Sequence, residues 1–145
     1  MVEQHNETTV LVTEDDDGHA ELIMSHLKDA GLTNPTMRFR DGQEAWDFLV
    51  CKGEGPYRDP AVPYLLLLDI RMPRMDGVEV LRRVKNHSEL QKIPVVMLTT
   101  TDDPREIEAC YRLGCSFYIT KPIEFGRFSE SLKRLGMFIQ VVKIV

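Results

Sequence analysis

The sequence predicts a doubly wound α/β fold, one five-stranded parallel sheet with five helices on its two faces, in a single domain spanning residues 1–145. Three observations carry that expectation. Short runs that are apolar throughout, such as Leu65–Leu68, suit strands buried on both faces. Stretches with apolar residues at helical spacing alternate with those runs, and such alternation implies crossover connections and therefore parallel strands. Turn residues separate the segments, and no repeat, low-complexity tract or inter-domain linker interrupts the series.

In chain order, strands are expected at Val10–Val12, more weakly at Met37–Phe39, then at Leu65–Leu68, Ile93–Leu98 and Phe117–Ile119. The first helix is read from Ala20, Ile23, Met24 and Leu27, the second from Ala45, Phe48 and Leu49. Gly77, Val80, Leu81 and Val84 mark the third, Ile107, Cys110 and Tyr111 the fourth, and Phe125, Phe128, Leu132 and Leu135 the fifth. Cys51–Pro63, with two glycines and three prolines, is the one long loop. Asp41, Asp76 and Asp103 each precede a glutamate by three positions (Glu44, Glu79, Glu106), the spacing of a capping box with Asp as N-cap, and Pro104 reinforces the third case. Asp17 is the candidate cap of the first helix, and Trp46 is assigned to the core.

Composition excludes several function classes. A net charge of −5 with a pI near 5.4, and no basic stripe, argues against nucleic-acid binding through phosphates. The first residues are a polar extension over 1–7 and no run approaches a membrane span, so a cytoplasmic protein without membrane contact is expected. Three cysteines without paired metal spacing read as reduced thiols, and the four histidines share no ligand pattern.

One carboxylate resists these structural readings. Asp69 directly follows the four leucines in "LLLLDIRMPRMDG", where an unpaired buried charge would be costly, and Met72 at the third following position makes it no capping box. In an open parallel sheet ligands bind beyond the carboxyl ends of the strands. Those ends here carry Glu14 and Asp15, Asp69, Thr99 and Lys121. Two carboxylates about 4 Å apart repel by about 4 kcal/mol at an effective dielectric of about 20, and a third worsens it. Such a cluster wants a cation, and oxygen ligands with room for water and phosphate suit Mg2+.

Four stretches in order, "VLVTEDDD", "LLLLDIRMPRMDG", "IPVVMLTTTDD" and "YITKP", resemble the receiver domain of two-component response regulators of the chemotaxis-regulator type. The resemblance implies flavodoxin-like topology and a non-enzyme signalling phosphoacceptor. It makes Asp69 the acceptor of a phosphoryl group from the phosphohistidine of a sensor histidine kinase, and Glu14, Asp15, Asp69 and the backbone carbonyl of Arg71 the Mg2+ ligands, with Glu14 acting through water. It further implies that Lys121 pairs with phosphoryl oxygens, Thr99 is the hydroxyl switch and Tyr118 the aromatic switch. Arg71 departs from pattern: bulky and charged two residues after the acceptor, it overlooks with Thr101 the path of a hydrolytic water, and it could pair with Glu14. The long loop, "IPVVMLTTTDD" and the apolar tail over 137–145 are similar to the stand-alone receivers that serve phytochrome-type kinases. That tail either completes the fifth helix or docks on another chain, and a homodimer is the expectation. A Mg2+-dependent phosphohydrolase is the rival, disfavoured because Arg71 stands where its second aspartate would be; a nucleotide or flavin site lacks its glycine-rich loop.

Overall fold

The computed structural model describes residues 7–29, 31–100, 103–120, 130–131 and 133–135. Five strands, β1 (Thr9–Thr13), β2 (Thr36–Phe39), β3 (Tyr64–Asp69), β4 (Val95–Thr99) and β5 (Phe117–Thr120), form one parallel sheet in the order β2-β1-β3-β4-β5. Helices α1 (Asp17–Asp29), α2 (Gly42–Leu49), α3 (Gly77–Lys85) and α4 (Pro104–Leu113) connect them, and helical residues at 130–131 and 133–135 belong to the fifth. The expected doubly wound α/β architecture of five parallel strands and five helices is therefore the observed one.

Period-two geometry explains why the central strands are apolar at every position. Leu11, Leu66, Leu68, Val95 and Met97 face a layer containing Ala45, Phe48, Val80, Leu81 and Cys110 from α2, α3 and α4. Their neighbours Val10, Val12, Leu65, Leu67, Val96 and Leu98 face the opposite layer, with Ile23 and Leu27 of α1 and Leu135 of the fifth helix. Each fully buried leucine contributes about 1.5–3 kcal/mol, so the leucine run of β3 stabilises both layers at once.

Helix starts follow the capping chemistry with two corrections. Asp41 accepts the Glu44 amide at 2.8 Å and Asp76 the Glu79 amide at 2.8 Å, as the spacing predicts. At α4 the Asp103 carboxylate instead takes the amide of Arg105 at 3.0 Å, while the Glu106 amide bonds the Asp103 carbonyl. The cap of α1 is Asp16, whose carboxylate accepts the His19 amide at 2.9 Å; Asp17 lies inside the helix and pairs with Arg38 of β2 and with Arg40 just beyond it.

Three further expectations are adjusted. The fourth strand starts at Val95 rather than Ile93, because Pro94 has no amide to give the ladder and only its carbonyl, accepting from Leu66, joins it. Tyr111 of α4 points outward at 47% exposure, leaving Cys110 as the buried residue of that helix. Trp46 is half-buried at the rim of the core, with the Arg83 guanidinium 5.7 Å from its ring and His87 edge-on at 6.3 Å. The loop after α2 is ordered by Arg58, which bonds the Leu49 carbonyl and pairs with Glu89.

Candidate functional site

The end of β1 is set from two directions. The Glu14 amide donates to the Phe39 carbonyl of β2 at 3.0 Å, and Arg38 of β2 donates two hydrogen bonds to the Glu14 carbonyl, at 2.8 and 3.2 Å. The turn then folds back, with the Asp16 amide on the Glu14 carboxylate at 3.2 Å and His19 Nδ1 3.7 Å from it. Glu14 is thereby fully buried, whereas Asp15 stays exposed.

Asp69 ends β3 at 7% exposure and lies in register with Leu98 of β4, one residue before Thr99. Glycine decides the path that follows. A Cβ on Gly77 would fall 2.2 Å from the Asp69 carbonyl oxygen, so only glycine lets the start of α3 close against the strand end, where its amide bonds the Ile70 carbonyl at 2.8 Å. Arg74, held at a left-handed φ of 65°, reaches across to Asp41 through Nε at 2.7 Å and Nη2 at 3.1 Å. Burial opposes the charged form of Asp41, yet the Arg74 guanidinium and the Glu44 and Gln43 amides hold its carboxyl below the usual range. Gly42 completes the clasp, since a Cβ there would meet the Met75 carbonyl oxygen at 2.0 Å.

These constraints bring Glu14, Asp15 and Asp69 together: one carboxylate oxygen from each lies within 4.8 Å of the others. Three hard oxygen donors so close, two on buried residues, fit a small divalent cation and are otherwise mutually repulsive. Arg71 is exposed and makes no ion pair with Glu14, correcting that expectation: the chain turns outward after Ile70 and the Glu14 carboxylate faces Asp16 and His19. Instead Arg71 lines, with Asp15, Met72 and Glu106, an open cleft of about 670 Å³ beside the cluster. One carboxylate oxygen of Glu106 is buried without a hydrogen-bond partner among the described residues.

On the other flank Thr99 ends β4 fully buried, and Tyr118 of β5, half-buried, is register partner of Met97. Burial pushes the Tyr118 phenol up to about 12, opposed by its hydrogen bond with Thr99 and reinforced by the nearby Glu106. Lys121, Thr101 and the tail over 137–145 lie outside the described residues, so the structure brings together Glu14, Asp15 and Asp69, sets Thr99 one residue beyond the register partner of Asp69, and does not test the lysine. Sequence reasoning missed Arg38, Arg74 and Asp41 as its supports. An arginine between the apolar Met37 and Phe39 was the available signal for the first.

The sequence model of the response regulator receiver domain family matches residues 10–133. This chain belongs to that family. The receiver is 34% identical over 134 residues to response regulator Rcp1 of Synechocystis, covering 92% of this chain and 85% of that protein. A crystal structure of the Mn2+-bound form of Rcp1 resembles it with a TM-score of 0.83 at 29% identity, covering 95% of this chain and 99% of that one. The phosphorylated cyanobacterial phytochrome response regulator RcpA does so with a TM-score of 0.82 at 31% identity, over 93% of this chain and 95% of that one. The metal in the Rcp1 structure accords with the donor set found here, and no helix among the described residues is long and apolar enough to cross a membrane.

Proposed function

We propose that this receiver accepts a phosphoryl group from the phosphohistidine of a sensor kinase onto Asp69, with Mg2+ held by Asp15 and Asp69 directly, by the Arg71 carbonyl, and by Glu14 through water. The observation that carries this reading is the convergence of Glu14, Asp15 and Asp69 within 4.8 Å at the carboxyl ends of β1 and β3. A carboxylate oxygen of Asp69 forms the new O–P bond as the N–P bond of the donor imidazole breaks, and the imidazole takes up a proton. The ion, when bound, supplies charge that offsets the phosphoryl oxygens. Positioning accounts for the rest, because the strand end that carries Asp69 is fixed by Gly77 and by the β4 ladder, where the Ile70 amide donates to the Leu98 carbonyl at 3.1 Å.

The new oxygens at Asp69 then offer the Thr99 hydroxyl an acceptor, in competition with the Thr99–Tyr118 hydrogen bond. Lys121, following β5, is placed in the role of pairing with a phosphoryl oxygen. Thr99 and Tyr118 act as the switch, altering the surface of α4 and β5 and selecting a conformation already accessible. That RcpA is a phytochrome response regulator supports a phytochrome-type kinase as donor. Exposed Tyr111 and Phe117 on that same surface support a homodimer.

Incubation with acetyl phosphate and Mg2+, read by intact mass, tests the acceptor. Wild type should gain one phosphoryl group and Asp69→Asn none. Equal labelling of both proteins would overturn the assignment, and catalytic hydrolysis of simple phosphate esters by wild type would favour the phosphohydrolase.

A further inference from the structure

We propose that Arg38 is a positioning residue for the metal and phosphoryl site, acting through the backbone of the β1–α1 turn; this rests on the reading above. Arg38 stands on the edge strand β2 as register partner of Val12, and its side chain is 19% exposed although it carries a full charge. It runs forward past the end of β1. There Nε and Nη2 both donate to the Glu14 carbonyl, at 3.2 and 2.8 Å, while Nη1 donates to Asp17 at 2.5 Å. Three nitrogens of one planar guanidinium thus bridge the residue before Asp15 and a residue two beyond it.

That grip has a direct geometric consequence. The Glu14 carbonyl and the Asp15 amide belong to one planar peptide unit, so holding the carbonyl fixes the plane from which Asp15 departs. Glu14 itself is fully buried, and water cannot easily replace the donors of its carbonyl. Without Arg38 the peptide would rotate to find another partner, and the Asp15 carboxylate would swing away from Asp69.

A purely electrostatic role for Arg38 predicts the opposite effect. A cation near a metal site repels Mg2+, so its removal would tighten binding. Asp17 already opposes that charge, its carboxylate lying 2.5 Å from Arg38 Nη1 and 2.9 Å from Arg40 Nη1. Arg40 is the natural control, because its guanidinium shares the Asp17 carboxylate at 2.9 Å and is 63% exposed, yet its side chain makes no hydrogen bond to the Glu14 carbonyl.

Calorimetric titration of the purified chain with Mg2+ decides between them. Arg38→Gln should weaken Mg2+ binding by about 10-fold or more, the usual loss when a residue orienting a metal ligand is removed. Arg38→Lys, which keeps the charge but not the fork, should show most of that loss, and Arg40→Gln should stay within about 2-fold of wild type. With acetyl phosphate as donor, the Arg38 variants should need more Mg2+ for half-maximal rate yet approach the wild-type rate at saturation. Binding in Arg38→Gln as tight as wild type or tighter, or full retention in Arg38→Lys, overturns the proposal while leaving Asp69 as acceptor untouched. A wild type that takes neither Mg2+ nor a phosphoryl group overturns the functional reading itself, and this one with it.

Discussion

The two flanks of the sheet's carboxyl end are built to different tolerances. On the β1–β3 flank every strand residue is buried, and the loops are clamped by Arg38 on Glu14, Arg74 on Asp41, and two glycines against backbone oxygens. On the β4–β5 flank the edge strand β5 buries only Ile119, α4 buries only Cys110 of its ten residues, and Phe117 and Tyr111 are 42% and 47% exposed. On the proposed function, three carboxylates presented to one ion gain from the first kind of construction, since a displacement of about 1 Å in such a site is costly. A surface that must change shape gains from the second, because loosely buried elements have low local stability and adjust at small cost. On the proposed function, the acceptor flank is built to stay put and the readout flank to move.

Two glycines give the largest expected contrast between the flanks. Gly77→Ala drives a Cβ to 2.2 Å from the Asp69 carbonyl oxygen and 2.9 Å from its carbon, backbone atoms that cannot rotate away. We expect a loss of about 3 kcal/mol or more in denaturant unfolding, together with loss of phosphorylation. Gly114→Ala, at the left-handed cap of α4 with φ 106°, meets only the flexible Lys85 side chain at 3.4 Å. It should cost about 1 kcal/mol through the strained backbone alone and leave phosphorylation intact. Equal losses at the two positions would remove the distinction between the flanks.

The clasp between Arg74 and Asp41 comes next. Asn caps a helix as well as Asp does, so Asp41→Asn isolates the charge. A loss of about 1–3 kcal/mol is expected at neutral pH, as for hydrogen bonds to a buried charged group. The folded-state pKa of Asp41 is depressed, so this contribution is complete above the unfolded value of about 3.9 and is lost as pH falls through the lower folded value. The gap between wild-type and variant stability should therefore hold from pH 7 to about 5 and close in more acid solution. A gap that widened with acid would mean that Arg74 does not hold the carboxylate.

The same contrast explains what could be read from sequence. The leucine run of β3, the valines and leucines of β1 and β4, and the Asp–Glu spacing at α2 and α3 follow from local chemistry, and they place Glu14, Asp15, Asp69 and Thr99 at strand ends. What was illegible depends on residues distant in sequence meeting in space. Arg38 and Glu14 are 24 residues apart and Arg74 and Asp41 are 33 apart, and no periodicity links either pair. The α1 cap slipped from Asp17 to Asp16 for a related reason: in a run of aspartates, tertiary pairing of Asp17 with Arg38 and Arg40 chooses which one is free to cap. Tyr111 misled because α4 lies at the sheet edge, where an apolar position need not face the core.

The smallest expected effect belongs to the readout flank, at the Tyr118 hydroxyl. Tyr118→Phe removes the hydrogen bond with Thr99 and should cost about 0.5–1.5 kcal/mol, with Asp69 still phosphorylated. Thr99, freed of that competitor, would turn to the phosphoryl group more readily, so phosphorylation should change the environment of α4 less in the variant than in wild type. Titration supplies an independent check. Burial raises the folded pKa of the phenol to about 12, above its unfolded value of about 10. Its contribution to stability is therefore complete below pH of about 10 and is lost as pH rises toward 12. In wild type, one tyrosine should resist ionisation when phenolate absorbance is followed through that window, and the resistant fraction should vanish in Tyr118→Phe. A phenol titrating near 10 in the folded protein would mean that Tyr118 stands in solvent, and the half-buried position seen for this aromatic residue would then be wrong.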